Sequence, residues 1–281
     1  PRSTLFPYTT LFRSGGKEFR VIGRAGTGLP PGGIFSLVLD PSSPRDARVL
    51  YAAVTGHGVY ASLDGGLTWE ERNHGLPADS RNPAQIALDP RQPLRLFLAG
   101  SAHYHPTEGR RVPGYIARSD DGAATWHIVK DRVEAQCVVI DPLDSRRVTV
   151  GNRNFSGVDY PQALYRSADG GDTWSSVDQT PFLQGQGSGD GNQGARVYVA
   201  GLAADPRRPG VLYAACTDHG YDVDNGRGVF VSRDWGATWK PFATAGLANF
   251  RVGTLVVDPT DPSRIYAGTG GNGVFRFGPA P

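Results

Sequence analysis

At residues 62–69 the chain reads SLDGGLTW, and the pattern returns as SDDGAATW at 119–126, SADGGDTW at 167–174 and SRDWGATW at 232–239. All four copies have the form S-x-D-x-G-x-T-W, except that Ala123 replaces the glycine of the second copy. This spacing predicts a tight turn, because the carboxylate can accept hydrogen bonds from turn N–H groups and glycine adopts positive φ. The tryptophan is expected to cover apolar surface beside the next strand. The residues predicted to build these turns are Ser62, Asp64, Trp69, Ser119, Asp121, Trp126, Ser167, Asp169, Trp174, Ser232, Asp234 and Trp239.

Each octapeptide belongs to a longer unit of about fifty residues, and repeats of this length indicate stacked or radial architectures. Every unit begins with an apolar run that ends in Asp-Pro, followed by a second and a third short β-branched or aromatic run, and a fourth run begins at the octapeptide tryptophan. Such runs bounded by Gly, Pro and Asp are typical of strands. The sequence therefore predicts an all-β fold, a β-propeller of four-stranded blades whose strands we call a to d, with the octapeptide as the c–d turn. The five Asp-Pro aspartates are Asp40, Asp89, Asp141, Asp205 and Asp258.

The octapeptide resembles the Asp-box, or BNR repeat, of xyloglucanase-like, sortilin-like and sialidase-like β-propellers. The resemblance implies a scaffold role for the box itself, since it builds blades and does not form a site. The xyloglucanase-like relatives imply a glycoside hydrolase acting on a polysaccharide or glycan. The sortilin-like relatives imply the alternative, a non-catalytic propeller that recognises a protein or peptide.

The N-terminal segment is unlike the rest of the chain. Residues 4–14 read TLFPYTTLFRS, which resembles the translation of a common sequencing-library adapter, and the 281-residue chain contains no methionine. We therefore expect residues 1–14 to be a non-native artefact and residues 15–281 to form the propeller domain. We also expect that upstream sequence, with a signal peptide, has been lost from a bacterial protein that is extracellular or periplasmic.

Charge and composition exclude several classes of function. Removing Arg2 and Arg13 with that segment leaves 27 basic residues against 27 acidic ones. A balanced charge argues against nucleic acid as a partner, and there is no apolar run long enough for a membrane span. The two cysteines, Cys137 and Cys216, lack metal-ligand spacing and are expected to be buried free thiols.

Five blade units are visible, but the fifth has no octapeptide. Its predicted strand c is Gly273–Arg276, and Phe277 stands where the octapeptide serine is expected. The run EFRVI at 18–22 has the position of a strand d. Two alternatives stay open: this strand completes blade five and removes a sheet edge, or, as we favour, it belonged to a lost upstream blade of a larger propeller.

Loop lengths predict where a ligand binds. From the middle of strand b to the octapeptide serine, blade one has 11 residues, whereas blades two, three and four have 22, 18 and 19. The d–a connection between blades three and four is also long, and all four insertions are predicted to project from one face. Long loops on a rigid scaffold are where binding and catalysis concentrate. The candidate ligand-binding residues there are His103, Tyr104, His105, Arg153, Tyr160, Asp190, Asp218 and Tyr221.

Glycoside hydrolysis requires two carboxyl groups facing each other across a cleft. The candidate catalytic residues on the inserted loops are Glu108, Asp159 and Asp222. A sialidase is disfavoured, because Arg110, Arg111 and Arg153 are more simply surface ion-pair residues. The His103-Tyr-His105 run lacks a third matched ligand for zinc, so no metal and no cofactor is predicted.

Overall fold

Antiparallel β-strands make up almost all of the regular secondary structure of the computed structural model, which describes residues 9–12, 19–23, 26–105, 107–153, 162–178, 180–183, 197–217, 227–242, 246–247, 250–271 and 273–279. The one helix in these ranges, α1 (Thr180–Leu183), has four residues. Within them no helix has the length and apolar character needed to cross a lipid bilayer. The chain divides into two compact units, Pro1–Asp131 and Arg132–Pro281.

The first unit begins with a two-stranded sheet and continues with two four-stranded sheets. The two-stranded sheet pairs β1 (Thr9–Phe12) with β2 (Phe19–Ile22). Blade one has the order β3 (Ile34–Leu39), β4 (Leu50–Val54), β5 (Gly58–Ser62) and β6 (Glu70–Glu71). Blade two has the order β7 (Pro83–Leu88), β8 (Leu96–Gly100), β11 (Gly114–Ser119) and β12 (His127–Val133). A hairpin of β9 (His103–His105) and β10 (Arg110–Val112) is inserted between β8 and β11.

The second unit contains three sheets. Blade three has the order β13 (Ala135–Asp141), β14 (Asp144–Asn152), β15 (Leu164–Ser167) and β16 (Ser175–Ser176). Blade four has the order β17 (Tyr198–Ala204), β18 (Leu212–Thr217), β19 (Gly228–Ser232) and β20 (Lys240–Pro241). Blade five has three strands in the described residues, β21 (Val252–Val257), β22 (Ile265–Thr269) and β23 (Gly273–Phe277).

Every blade is an antiparallel meander in which consecutive strands are neighbours, as in blade one, where Leu39 pairs with Leu50 and Leu50 with Ser62. The prediction of an all-β fold made of five propeller-type blade units is confirmed. The octapeptides form the turns between strands c and d, as expected.

One hydrogen-bond network recurs in all four octapeptide turns. In blade three the Ser167 hydroxyl donates to the Asp169 carboxylate at 2.7 Å and accepts the Gly171 N–H at 2.8 Å. The same carboxylate accepts the Thr173 N–H at 2.9 Å. The indole of Trp174 donates to the Gly171 carbonyl at 3.0 Å. The network satisfies buried N–H groups that no strand partner reaches, and it therefore fixes the turn.

The second turn departs from this pattern in one contact. Ala123 adopts the left-handed conformation with φ of 66°, and its N–H still donates to the Ser119 hydroxyl at 2.9 Å. The indole of Trp126 donates instead to the Arg72 carbonyl, at 2.8 Å. The serine and aspartate contacts are thus kept, whereas the tryptophan takes a different partner.

The Asp-Pro steps end strand a in the same way in all five blades. The first aspartate, Asp40, accepts the backbone N–H of Ser42, two residues further on, at 2.8 Å. The other four aspartates accept the equivalent N–H at 2.8 to 2.9 Å. Proline in between removes the donor that a continuing strand requires, so the strand stops and the chain turns.

Apolar side chains pack between adjacent blades within each unit. In the first unit the cluster of Tyr51, Ile86, Leu98 and Trp126 fills the space between blades one and two. In the second unit Cys137 and Cys216 belong to the cluster between blades three and four. Both cysteines are buried and free, as predicted.

The N-terminal strand does not take the partner expected for a completing strand. Phe19–Ile22 pairs with Thr9–Phe12, inside the segment expected to be non-native, and not with strand c of blade five. Its last residue, Ile22, is 7% exposed and packs with Leu29 and Trp69. This pairing has a local cause, because Thr9–Phe12 is the strand nearest in sequence to Phe19–Ile22. Apolar side chains of blade one cover Ile22. The expectation about the origin of residues 1–14 stays a prediction.

We predict that Ser167→Ala lowers the free energy of unfolding by about 1–3 kcal/mol, because the buried Gly171 N–H loses its acceptor. Ser176→Ala, on the exposed strand β16, is the control and changes stability little. Urea unfolding curves measure both values. Equal stabilities of the two variants would contradict the role given to the turn.

We also predict that the contribution of Asp169 to stability depends on pH. Hydrogen bonds from the Thr173 hydroxyl, the Thr173 N–H and Ser167 lower the pKa of Asp169 to about 2. An unfolded aspartate has a pKa of about 3.9, so the stabilisation is complete above that pH and is lost as pH falls through the folded value. The difference in melting temperature between the wild type and Asp169→Asn should shrink between about pH 5 and pH 2, with Asp46→Asn as the control. A difference that stays constant over this range would contradict the shift.

Candidate functional site

The inserted hairpin of blade two carries four of the predicted site residues. His105 pairs with Arg110, Tyr104 with Arg111 and His103 with Val112. Since side chains alternate along a strand, His103 and His105 lie on one face of the hairpin and Tyr104 lies on the other. The Tyr104 ring is 65% exposed, and Glu108 lies in the turn.

Arg110 joins two carboxylates at this hairpin. Its Nη2 lies 2.9 Å from Oδ2 of Asp79, and its Nε donates to Glu108. The imidazole Nε2 of His105 lies 3.8 Å from Oε1 of Glu108. The hydrogen bond from Arg110 lowers the pKa of Asp79, so this carboxylate is ionised at neutral pH. Glu108 and Asp79 are therefore held by one guanidinium, and Asp79 is suited to accepting hydrogen bonds rather than to donating a proton.

The pKa of His103, on the same hairpin, is also shifted. Burial is the largest cause and lowers the pKa of His103. The nearby His105 lowers this pKa further, whereas the charge of Asp79 raises it. The ring is consequently neutral at pH 7. Across the described ranges, no group of three or more His, Cys, Asp or Glu side chains is arranged to hold a metal ion.

A second group of polar side chains lies at the b–c and d–a ends of the strands in the second unit. The guanidinium carbon of Arg153 lies 5.4 Å from the centre of the Tyr198 ring, and the two residues form an isolated β-bridge. The Arg153 N–H donates to the Glu134 carbonyl at 2.8 Å. The buried amide of Asn152 donates to the Gln162 carbonyl at 2.8 Å. These contacts place a cation over an aromatic face at the end of blades three and four, an arrangement that is itself attractive.

Two buried charged residues and one aromatic residue in this region were not selected from the sequence. Glu134 is 2% exposed and Arg227 is 9% exposed, and Tyr198 supplies the ring against Arg153. The Arg227 Nη1 donates to the Phe182 carbonyl at 3.3 Å. Buried charges are uncommon unless they are paired or have a role. One sequence feature could have identified the two charged residues. Each lies directly before a strand with an apolar sequence: Glu134 before β13 and Arg227 before β19.

The structure therefore describes five of the eleven candidate site residues. It places His103, Tyr104, His105 and Glu108 together on one hairpin in the first unit, and Arg153 against Tyr198 in the second. The other six lie outside the described residues: Asp159, Tyr160, Asp190, Asp218, Tyr221 and Asp222.

The meander sheets place the chain in the propeller class of all-β proteins. No known protein-family profile matches it. It is 28% identical over 236 residues to a xyloglucanase of a Paenibacillus species, covering 83% of this chain and 20% of that protein. It is 26% identical over 289 residues to the xyloglucanase Xgh74A of Acetivibrio thermocellus, covering 92% of this chain and 31% of that protein.

Among solved structures the chain shares the fold of an ancestral GH74 enzyme. The TM-score is 0.55 at 18% identity, with 90% of this chain and 37% of the other chain covered. The chain spans about a fifth to a third of the length of the curated relatives above. The chain therefore has a propeller fold and is similar in sequence to xyloglucanases.

We predict that Asp79→Asn lowers the pKa of His103 further, because the substitution removes the negative charge that favours the imidazolium. An NMR titration of the histidine Cε1–H signals measures the shift. Glu70→Gln removes an exposed carboxylate from β6 and is the matched control. An unchanged or raised pKa in the Asp79 variant would show that this carboxylate does not act on His103.

Proposed function

We propose that this chain is part of a glycoside hydrolase of xyloglucanase type that binds a β-glucan chain at the b–c and d–a ends of its blades. The observation that carries the proposal is the similarity to two xyloglucanases over 83% and 92% of the chain. A substrate of this kind lies outside the cell, so the proposal includes an extracellular or periplasmic location. The Asp-box interpretation of the octapeptides and the bacterial source belong to the same proposal.

The side chains of the blade-two hairpin are of the types that bind sugars. A sugar ring presents apolar faces beside many hydroxyl groups, and pockets for such ligands combine aromatic surface with a few fixed polar groups. Tyr104 offers an exposed ring, and Glu108 and Asp79 offer carboxylate oxygens that Arg110 holds in place. Arg153 and Tyr198 supply a corresponding pair in the second unit.

Hydrolysis additionally needs a carboxylic acid that keeps its proton near neutral pH. Asp79 does not meet this need, because Arg110 lowers its pKa. We retain Glu108, Asp159 and Asp222 as the candidate catalytic carboxylates, with Glu108 in the role of a base or a hydrogen-bond acceptor. The proton donor is then sought among the acids of the long loops of blades three and four.

The proposal predicts that xyloglucan oligosaccharides bind to the protein and that xyloglucan is cleaved. Glu108→Gln should weaken binding by about tenfold, since a hydrogen bond to a charged group contributes roughly 1.5–3 kcal/mol. Calorimetry measures binding, and reducing-sugar release measures cleavage. Glu70→Gln, which removes an exposed carboxylate paired with Arg72, is the matched control.

The outcomes separate the two function classes. Sugar release supports a hydrolase, and binding without release supports recognition of the polysaccharide alone. Absence of both binding and release with every β-glucan would overturn the proposal. It would leave the alternative, recognition of a protein or peptide by a non-catalytic propeller.

A further inference from the structure

A cavity lies at the ends of the strands opposite to the candidate site, where the a–b and c–d turns of blades three and four meet. Its volume is about 470 Å³, and its lining includes Arg147, Arg166, Arg233 and Trp235. Pockets that bind small molecules have volumes of about 300–1,000 Å³, so this space is ligand-sized. Three of its lining residues are thus arginines, and one, Asp234, is an acid.

Blade two has two arginines at the positions that Arg147 and Arg166 occupy in blade three. There Nε of Arg95 lies 2.7 Å from Oδ1 of Asp120, and Nε of Arg118 lies 3.0 Å from Oδ2 of Asp120. Asp120 is the second residue of its octapeptide. One exposed carboxylate thus neutralises both guanidinium groups.

Blade three has the arginines without that carboxylate. The pairings Leu96–Ser119 and Val148–Ser167 align the two blades, so Arg147 and Arg166 occupy the positions of Arg95 and Arg118. The residue that corresponds to Asp120 is Ala168. In blade four the corresponding residue is Arg233, so the acid is replaced by a third cation.

Among the described residues, two of the three guanidinium groups consequently have no counter-charge. Arg147 retains long contacts with Asp144 at 3.4 Å and Asp141 at 3.6 Å. In the part of the chain that the structure describes, neither the Arg166 nor the Arg233 guanidinium has a hydrogen bond or an ion pair. One carboxylate, Asp234, also lines the cavity. Both of its oxygens already accept hydrogen bonds within its own turn, from Ser232 and Thr238.

Trp235 is a further departure at the same cavity. The fourth octapeptide places it in the left-handed conformation with φ of 54°, where the other three have Gly65, Gly122 and Gly170. A bulky residue with positive φ is uncommon and costs energy. Trp235 is 5% exposed, and its indole N–H is buried without a hydrogen-bond partner. An unused buried donor is costly in a folded protein, so it needs a compensating role.

From these observations we propose that the cavity binds the oxyanion group of a small organic ligand: a carboxylate, sulfate or phosphate held by Arg166 and Arg233. Guanidinium groups recognise such oxygens with two parallel hydrogen bonds. The positions that would neutralise them carry Ala168 and Arg233 instead of an acid. An inorganic anion needs a volume near that of one or two water molecules, about 30 Å³ each. The cavity volume of about 470 Å³ is much larger than this. The remaining space accommodates the body of an organic molecule.

The test places an acid at position 168, where blade two has Asp120. Calorimetry at low salt compares trigalacturonate, glucose 6-phosphate, inorganic phosphate and glucose. We expect at least one of the two sugar anions to bind about tenfold more tightly than both glucose and inorganic phosphate, since charged hydrogen bonds contribute roughly that factor. Ala168→Asp supplies the carboxylate that Asp120 provides in blade two, and it should weaken this binding by about tenfold. Arg233→Gln should do the same.

Matched variants keep the result unambiguous. Ala168→Asn has the same shape as the aspartate without its charge, and Arg45→Gln removes an exposed arginine elsewhere, so both should bind like the wild type. Ala168 is exposed, so its variants are expected to fold, and thermal unfolding checks this. The proposal is overturned if neither sugar anion binds, if inorganic phosphate binds as tightly as the better of them, or if Ala168→Asp leaves the affinity unchanged.

Discussion

The fold depends on one buried hydroxyl in each octapeptide turn. Ser62, Ser119, Ser167 and Ser232 are all at most 3% exposed, and each donates to an aspartate while accepting a backbone N–H four residues further on. A buried N–H without a partner costs about as much as a lost hydrogen bond, and at a c–d turn no neighbouring strand can supply one. The serine hydroxyl accepts this N–H within the turn, and the aspartate carboxylate accepts the N–H of the threonine. The serine and aspartate contacts that close the outer hairpin of these four blades therefore all lie within the turn itself.

This local solution leaves other positions of the octapeptide free to change. The second residue is exposed and takes no part in the network, so it can be Leu63, Asp120, Ala168 or Arg233 without loss of the turn. The fourth residue must adopt positive φ, which three glycines do and Trp235 also does at a cost. The repeat thus separates the residues that build the blade from those that set its surface charge. Differences between copies are more informative about function than the shared pattern is.

The same separation explains how far the sequence predicted the structure. The order of the strands, the c–d turns and the Asp-Pro stops depend on residues within about five positions of each other, and these predictions were confirmed. The strand ends were less exact, since the predicted strand c of blade five, Gly273–Arg276, extends to Phe277. The partner of Phe19–Ile22 was not predicted, because an isolated strand can pair with any free edge and its sequence does not say which. In the candidate site, the face that carries His103 and His105 follows from strand alternation. The contact of Arg110 with Asp79 joins residues 31 apart, and the burial of Glu134 depends on tertiary packing, so neither could be predicted from local spacing.

The charge state of the blade-two hairpin limits the part it can play in catalysis. An acid catalyst needs a carboxyl group whose proton is retained, which requires an apolar setting or a nearby negative charge. At Asp79, Arg110 provides the opposite setting, because its hydrogen bond lowers the pKa of this carboxyl group; the same guanidinium also contacts Glu108. Such an arrangement fixes two acceptors in space and lowers the entropy lost when a polyhydroxylated ligand binds between them. Under the function that we propose, the hairpin of the first unit would hold the substrate, and protonation of the leaving oxygen would require a carboxyl group in a different electrostatic setting.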